Sequence, residues 1–338
     1  MQETRRRVLD ALADGPVTGP ELAERLGVSR TAVWKHVEAL READFDVEGT
    51  DEGYVLRAVP EYGGPAIEYG LEAPFDVEFH DSLDSTNARA RELAAEGAAD
   101  TVVVAGEQTG GRGRLGREWA SPPGGVWLSV VCRPDLPPAQ VPVYTLAAAV
   151  AVTRAVREAG VEARIKWPND VLVEVDEAEG EGGVEGDGEG EEAAERKLCG
   201  ILTEMEGEAD RVSWVVVGVG VNLNVDEADL PPGANATSVR ACRQRAGHDD
   251  GEADVPRRLF VQRLLEAFDD LRGDPERVLP AWREYAGTLG RRVRVETPSG
   301  EVVGEAVDIE FPGTLVVETG DGTRRVTAGD CEHLRPVE

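Results

Sequence analysis

The stretch Gly110-Gly111-Arg112-Gly113-Arg114-Leu115-Gly116-Arg117, followed by Trp119, is the strongest functional signal in the sequence. Its glycines let backbone N–H groups approach a ligand closely, and its arginines supply fixed positive charge. It lacks the Gly-Lys-Ser/Thr ending of a P-loop, and it does not stand at the strand–helix turn of a dinucleotide-binding motif. It occurs once, between predicted strands, whereas flexible RNA-binding segments and linkers are usually repetitive. We therefore predict a loop that is mobile when empty and orders over an anionic ligand.

Two other blocks of sequence hold two of the three lysines in the chain. The block Arg164–Asp170 contains Lys166 and ends in an Asn-Asp pair, and the block Arg196–Leu202 contains Lys197. A cation that contacts phosphate and a carboxylate that binds Mg²⁺ are what nucleotidyl transfer requires. The two blocks therefore predict a site for a nucleotide.

Polar side chains also stand at the ends of two predicted elements. The apolar strand predicted at Val215–Val219 continues into Asn222 and Asn224, whose amides are suited to reading the edge of a base. Upstream, residues 84–87 place an acid, two hydroxyls and an amide at a predicted helix start. By itself such a cluster is more often a plain N-cap.

Residues 1–62 are predicted to form a winged helix-turn-helix. Helices predicted at 5–12, 18–26 and 29–43 precede a predicted hairpin with its tip at Thr50–Gly53, an order typical of DNA-binding domains. The third helix carries the candidate DNA contacts: Arg30, Lys35, His36 and Arg41. The alternative is a module that only packs or dimerises. This segment is itself acidic, so its net charge does not help it to bind DNA.

Two further domains are predicted in the rest of the chain. Residues 75–288 alternate predicted strands with helices, which indicates an α/β domain, and residues 289–338 show the short alternating stretches of a small β-barrel of SH3-like size. Inside the first of these, residues 174–195 contain eleven acids, many glycines and no basic residue. Such a segment cannot bury enough apolar area to order itself, so we expect a disordered loop there.

The composition is strongly acidic, since 66 Asp and Glu against 36 Lys and Arg give a net charge of −30. We interpret this charge and the scarcity of lysine as the surface of a halophilic protein in a salt-rich cytoplasm. The cysteines are scattered without a CxxC pair, which argues against disulfides and structural zinc. The longest apolar run, near residues 146–152, falls short of the ~20 residues of a membrane helix, and no signal peptide is evident. We therefore expect a cytoplasmic protein with no membrane partner.

In this order, the glycine–arginine stretch, the Lys-Trp-Pro-Asn-Asp block and the Arg-Lys-Leu-x-Gly block resemble the biotin protein ligase family. The resemblance covers nearly the whole chain and includes the subgroup in which a winged helix lets the ligase double as the biotin operon repressor. It implies an α+β fold: an N-terminal winged helix, a central mixed sheet of the class II synthetase type and a C-terminal SH3-like barrel. The acidic insertion departs from the family pattern, as does Leu115, where some relatives have another arginine.

The resemblance also implies roles for individual residues. Biotin would be bound by Ser85, Thr86, Asn87, Gln108, Arg112, Gly113, Arg114, Lys197 and Gly200. ATP and the adenylate would be bound by Arg112, Arg114, Arg117, Trp119, Lys166, Asn169 and Asn222. Catalysis would depend on Lys197, Arg112, Lys166 and Asp170, with Asp170 also assisting Mg²⁺.

The implied reaction uses ATP to form biotinyl-5′-AMP and then transfers biotin to a lysine of a biotin carboxyl carrier protein. The implied partners are this carrier, a DNA operator and a second copy of the chain in a homodimer. A lipoate protein ligase would share the fold and the adenylation chemistry, but the glycine–arginine stretch and the winged helix argue against it. A repressor that senses biotin without activating it is the other alternative, and the intact set of cations argues against it.

Overall fold

The computed structural model describes residues 3–175 and 194–334. In chain order they form a helical unit with a hairpin, a unit built on a seven-stranded sheet and a five-stranded sheet. The predicted α+β class and its three parts are confirmed. Of the predicted acidic insertion, residues 176–193 lie outside the described residues, while Glu174 and Glu195 at its two ends pair in the central sheet. The strands on either side therefore reach farther into the insertion than predicted.

The N-terminal unit is the predicted winged helix: α1 (Glu3–Ala13), α2 (Gly19–Leu26), α3 (Arg30–Arg41), β1 (Asp46–Thr50) and β2 (Gly53–Ala58). The Thr18 hydroxyl accepts a hydrogen bond from the Glu21 N–H at 3.3 Å, and the Glu21 carboxylate accepts one from the Thr18 N–H at 3.0 Å. This reciprocal pair is the predicted capping box of α2. Gly27 ends α2 at φ 68°, which glycine adopts without steric cost. Apolar residues such as Leu12 and Leu22 are fully buried between the helices.

The central unit is built on a mixed sheet: β3 (Asp76–Leu83), β4 (Thr101–Gln108), β5 (Val126–Cys132), β6 (Ala163–Lys166), β7 (Asp170–Val175), β8 (Ala194–Gly207) and β9 (Val212–Val221). The strand order is β3-β4-β5-β9-β8-β7-β6. Only the pair β3–β4 is parallel among these described strands. The helices of this unit are α4 (Gly64–Glu68), α5 (Thr86–Ala95), α6 (Pro142–Glu158), α7 (Val239–Arg245), α8 (Asp250–Ala253), α9 (Arg257–Arg272) and α10 (Val278–Tyr285).

Helix α6 is the core helix of the central unit, where Val150, Ala151 and Val152 are completely buried. The stretch Pro138–Glu158 has a mean hydropathy of 1.3, and its length and composition would suit a membrane span, unlike the shorter apolar run that the sequence suggested. However, 72% of its apolar window is buried inside the protein, where it packs against α9 and the sheet. Its apolar character is therefore explained by burial in the core.

The C-terminal unit is the predicted small β domain: β10 (Arg292–Thr297), β11 (Gly300–Glu310), β12 (Thr314–Thr319), β13 (Gly322–Val326) and β14 (Asp330–His333). Its strands are antiparallel in the order β13-β12-β11-β10-β14. The indole N–H of the buried Trp167 donates to the Gly313 carbonyl at 2.9 Å, and Arg283 pairs with Asp308 at 2.8 Å. These contacts hold the unit against the central one and place β14 beside the ends of β7 and β8.

Candidate active site

A cavity of about 260 Å³ lies against β7, β8 and β9, beside the start of α5 and the loop 110–117. Asp330 contributes to its wall from the C-terminal unit. Every predicted catalytic or ligand-binding residue except Lys166 lines it: Ser85, Thr86, Asn87, Gln108, Arg112, Gly113, Arg114, Arg117, Trp119, Asn169, Asp170, Lys197, Gly200 and Asn222. Segments that are far apart in the sequence are thus brought together in one cavity.

Glycines of β8 and β9 make room for two large side chains of this cavity. A Cβ at Gly218 would lie 1.9 Å from Asn87 Oδ1, and a Cβ at Gly220 would lie 2.5 Å from Trp119 Nε1. At Gly200 it would lie 3.2 Å from the Trp119 ring. Asn87 and Trp119 therefore lie flat on the two strands, in places that a side chain at these positions would occupy.

Lys197 is the cation at the centre of the cavity. Its Nζ lies 2.6 Å from Asp170 Oδ1 and 4.9 Å from the centroid of the Trp119 ring. Both partners are only partly shielded from water, with 29% of the Lys197 side chain and 23% of the Asp170 side chain exposed. An aromatic face and a carboxylate both attract a positive charge. The arrangement provides a positioned positive charge that an anionic ligand can contact.

The loop 110–117 forms a tight turn over the cavity. The Gly113 N–H donates to the Arg117 carbonyl at 2.8 Å, and Leu115 adopts the left-handed region at φ 57°. Arg112 is exposed, and its side chain has no hydrogen-bond or ion-pair partner within residues 3–175 and 194–334. It is therefore available to an anionic ligand in the cavity.

The other two arginines tie the loop to its surroundings. Arg114 donates to Asn169 Oδ1 at 2.9 Å and to the Gly329 carbonyl at 2.8 Å. Arg117 forms an ion pair with Asp330, and this carboxylate raises the pKa of Arg117. The C-terminal unit thus contacts the loop directly, which the sequence did not predict. That the loop orders over a ligand remains a prediction.

A row of polar side chains closes the end of the cavity nearest α5. Gln108 Oε1 accepts hydrogen bonds from the Thr86 N–H at 2.8 Å and the Thr86 hydroxyl at 3.1 Å, and its Nε2 donates to Ser121 Oγ at 2.9 Å. Ser129 Oγ, which is fully buried, lies 2.8 Å from Thr86 Oγ1 and 2.6 Å from Asn87 Oδ1. Sequence analysis missed Ser129, although a lone serine in the apolar strand β5 was a visible signal.

Ser85 differs from its two neighbours. Its Oγ accepts a hydrogen bond from the Ala88 N–H at 3.4 Å, so the plain N-cap interpretation applies to this residue. Thr86 and Asn87, in contrast, are buried and belong to the polar row. The cluster at the helix start therefore both caps α5 and supplies side chains to the cavity.

Among the described residues, two buried polar atoms of the cavity wall have neither a hydrogen bond nor an ion pair. Asn222 Nδ2 donates to the Thr237 carbonyl at 3.0 Å, but its Oδ1 accepts nothing, and Trp119 Nε1 donates to nothing. A buried polar atom without a hydrogen bond is costly, about 1–3 kcal/mol. Asn222 Oδ1 therefore suits a ligand that brings a donor, such as the amino group of a base.

Lys166 is the predicted site residue that does not line the cavity. It ends β6 and lies near Glu195 and Cys331, on the side of the C-terminal unit. Burial would raise the pKa of Glu195, but a hydrogen bond from His333 and the charges of His333, Arg291 and Lys166 lower it below its usual value. Lys166 thus helps to balance a carboxylate next to the site.

The candidate DNA contacts on α3 divide into two groups. Arg30 and Lys35 are exposed, whereas His36 is half-buried and its pKa is lowered by burial and by Arg5. Arg41 donates to the Val47 carbonyl at 2.8 Å and to Glu38 at 2.7 Å, so it ties α3 to the hairpin. Sequence analysis missed Trp34, whose side chain is 53% exposed on the same helix. Arg30, Trp34 and Lys35 are therefore the free side chains of this surface.

Known protein families match each of the three units. The biotin/lipoate A/B protein ligase family matches residues 79–222, the biotin protein ligase C-terminal domain matches residues 288–334, and a helix-turn-helix domain matches residues 4–55. The biotin protein ligase of Aquifex aeolicus, solved with biotin and ATP, has a TM-score of 0.55 at 22% identity, covering 76% of this chain and 99% of its own. At that identity it supports the fold alone.

Sequence relatives support more than the fold. The biotin--[acetyl-CoA-carboxylase] ligase of Mycobacterium tuberculosis is 35% identical over 264 residues, covering 74% of this chain and 86% of its own. The bifunctional ligase/repressor BirA of Bacillus subtilis is 37% identical over 333 residues, covering 94% of this chain and 93% of its own. With this identity across nearly the full length of both chains, the protein belongs to the biotin protein ligase family.

Proposed function

We propose that the chain is an ATP-dependent biotin protein ligase, which forms biotinyl-5′-AMP and transfers biotin to a lysine of a biotin carboxyl carrier protein. The observation that carries this proposal is the convergence of Lys197, Arg112 and Arg114 on one cavity of a protein whose net charge is −30. In such a protein, these cations, with Arg117 as a fourth in the wall, indicate an anionic ligand. Family membership supports biotin and ATP as the ligands.

In the first step, a carboxylate oxygen of biotin attacks the α-phosphorus of ATP. The new P–O bond forms as the bond from this phosphorus to the bridging β-phosphate oxygen breaks, and pyrophosphate leaves. Both reactants are anionic, so neutralising their charge is the main catalytic task. We assign this task to Lys197 and Arg112, while Arg114 positions Asn169 at the wall. Lys166 lies outside the cavity, so we propose for it only a long-range attraction of phosphate.

The two ends of the cavity suit the two substrates. Asn222 Oδ1 and the Trp119 ring lie at the end that we assign to adenine, where the unpaired amide oxygen would accept from the base. Thr86, Asn87 and Gln108 lie at the end that we assign to biotin, together with Gly113 and Gly200 in the wall between. The carboxylate of biotin would then meet the α-phosphate near Lys197.

We propose that the site takes ATP together with Mg²⁺, which would supply shielding of phosphate charge when bound. Within residues 3–175 and 194–334 no three His, Cys, Asp or Glu side chains cluster as a ready metal site. Mg²⁺ usually takes one or two carboxylates and fills its shell with phosphates and water. Asp170 fits as one such carboxylate, and Lys197 balances its charge in the ligand-free protein.

In the second step, the neutral ε-amine of the carrier lysine attacks the acyl carbon. The C–N bond forms, the C–O bond to the phosphate breaks, AMP leaves, and the amine proton passes to water. No protein nucleophile is required. Burial raises the pKa of Cys199, which is next to Gly200, well above its usual value. That thiol is therefore unsuited to attack.

The direct test is to incubate the purified protein with biotin, MgCl₂ and α-labelled ATP at high KCl. We expect biotinyl-AMP, followed by transfer of biotin to a carboxyl-carrier domain. Binding of biotin without adenylate would instead indicate a sensor that is not an enzyme. Reaction with lipoate in place of biotin would show that the substrate assignment is wrong.

We also propose that the N-terminal unit binds an operator as part of a homodimer and represses transcription in response to biotin. The favouring observation is that α3 presents Arg30, Trp34 and Lys35 to solvent at the place where a winged helix meets DNA. A dimer would present two such helices to a palindromic site. We place both activities in the cytoplasm, where carrier, ATP and DNA occur together.

The double variant Arg30→Ala, Lys35→Ala is expected to weaken operator binding and to lower the slope of log K against log salt by about 1–2. For each phosphate contact that is lost, fewer counterions are released when the protein binds DNA, so the slope becomes smaller. The measurement is a mobility shift over a range of KCl concentrations. Ligase activity should stay unchanged in this variant. The matched control Arg211→Ala, Arg324→Ala removes two exposed charges from the central and C-terminal units and should bind like the wild type. Equal losses in the two double variants would contradict a role for α3.

The halophilic interpretation predicts that the melting temperature rises with KCl between about 0.1 M and about 2 M, because screening shortens the range of repulsion among 66 acidic residues. Thermal unfolding followed by circular dichroism measures this. The control is sucrose at matched osmolality, which stabilises by being excluded from the protein surface and screens no charge. A melting temperature that is flat in KCl would contradict adaptation to high salt.

A further inference from the structure

Hydrogen bonds continue from the biotin end of the cavity to a carboxylate on β8. Asn87 Nδ2 donates to Glu204 Oε2 at 2.8 Å and to the Leu202 carbonyl at 3.3 Å. Arg91 donates to the other carboxylate oxygen, Oε1, at 3.0 Å. Glu204 is therefore one side chain behind the cavity wall, without lining the cavity itself.

This carboxylate and the Leu202 carbonyl together set the direction of the hydrogen bonds around Asn87. Both groups accept, so Asn87 turns its NH₂ group toward Glu204 and Leu202 and its Oδ1 away. Oδ1 lies 2.6 Å from Ser129 Oγ, and the single hydroxyl proton of Ser129 is therefore donated to it. The amide lies against Gly218, where a Cβ would be 1.9 Å from Oδ1, and this close fit limits its rotation.

The hydrogen bonds keep the same donor-to-acceptor order as far as Thr86. Ser129 Oγ has used its proton on Asn87, so it accepts from the Thr86 hydroxyl, whose single proton lies between Ser129 Oγ at 2.8 Å and Gln108 Oε1 at 3.1 Å. The Thr86 proton is thus used inside the row, and a lone pair of Thr86 Oγ1 remains for the cavity. This end of the cavity therefore presents an acceptor, which suits a ligand that brings N–H donors.

We propose that Glu204 is a positioning residue that sets this end of the cavity to accept the N–H groups of the ureido ring of biotin. The inference rests on the proposed function, since it takes biotin to bind beside Thr86. It also gives a physical reason for discrimination against lipoate, whose dithiolane ring has no N–H group. Glu204 acts through Asn87 and touches no substrate.

The test is the near-isosteric variant Glu204→Gln, whose amide can donate as well as accept, so that the Leu202 carbonyl alone still favours the present direction of Asn87. We expect biotin binding, measured by calorimetry without ATP, to weaken by about 10- to 100-fold, with the KM for biotin rising and the KM for ATP within about 2-fold. The matched control is Glu206→Gln, on the same strand and exposed, with no side-chain partner within the described ranges. It should bind biotin like the wild type.

A double-mutant cycle with Asn87→Ala shows whether Glu204 acts through Asn87. In the Asn87→Ala background, Glu204→Gln should cause no further loss of biotin binding. An undiminished affinity in Glu204→Gln, or the same loss with and without Asn87, overturns the inference. If Glu204→Gln does not fold, the shorter Glu204→Asp, whose carboxylate is drawn back from Asn87, should weaken biotin binding by about 10-fold, while Arg91→Gln, which leaves the contact between Glu204 and Asn87, should stay within about 3-fold. Failure of the wild type to bind biotin would instead refute the proposed function.

Discussion

Replacing Lys197 with alanine should lower the rate of adenylate formation by about 1,000-fold. The ammonium is the cation held at the centre of the cavity, against the Trp119 ring and 2.6 Å from Asp170 Oδ1. Its removal takes away charge stabilisation and also leaves the Asp170 carboxylate facing the phosphates without its partner. Release of labelled pyrophosphate in a single turnover measures the effect on the first step alone.

The matched control is Lys166→Ala, which removes the same charge from the same sheet but outside the cavity. We expect its loss of rate to stay within about 10-fold, the size of a long-range electrostatic effect. Lys197→Ala should melt near the wild-type temperature and should bind DNA unchanged in the absence of ligand. Full ligase activity in Lys197→Ala, or equal losses in the two variants, would show that the assignment of Lys197 is wrong.

Local sequence patterns were sufficient to predict the three units and to single out the motif blocks that reach the cavity. The capping box at Thr18 and Glu21 acts within one helical turn, so it is visible in four residues. The motif residues Arg114, Asn169 and Lys197 meet because their segments flank neighbouring parts of one sheet. Their grouping in one site came from the family resemblance, since spacing along the chain does not give distance in space.

The strands β3, β6 and β8 were not predicted, because charged residues interrupt β3 and β8 and because β6 is short. Strand β8 places Lys197 and Glu204 toward the site, so its apolar residues are interrupted by functional charges. Strand β3 carries acids and a histidine at the edge of the sheet, and β6 is only four residues long. Charged residues that serve a site or an exposed edge hide the alternation from which a strand is predicted.

Roles that depend on tertiary contacts could not be predicted either. Arg41 and Lys35 lie on the same helix, yet only Arg41 bonds to the Val47 carbonyl of the hairpin. Lys166 and Lys197 are both in motif blocks, but only Lys197 reaches the cavity. A residue type in a motif indicates the chemistry that is available, while the packing of distant segments decides which residue uses it.

The variant Gly220→Ala is expected to raise the KM for ATP by about 100-fold, while biotin binding without ATP stays within about 3-fold. The added Cβ would lie 2.5 Å from Trp119 Nε1, so the indole must leave its position on β9. Lys197 packs on the same ring, and its displacement should also lower the rate of adenylate formation. The measurement is the adenylation rate over a range of ATP, beside calorimetry with biotin.

Two comparisons test whether this effect passes through Trp119. The control Gly251→Ala adds the same methyl group where nothing lies within 4 Å, and it should behave like the wild type. In a Trp119→Ala background the methyl of Gly220→Ala meets no indole, so the second substitution should add little to the loss caused by the first. If Gly220→Ala instead weakens biotin and ATP equally and lowers the melting temperature, the glycine supports the sheet and not the nucleotide end of the cavity. A raised KM for ATP with unchanged biotin binding requires that β9 holds the indole on one side, while the other side contacts the nucleotide and Lys197. Through this arrangement the fold of the sheet supports adenylation.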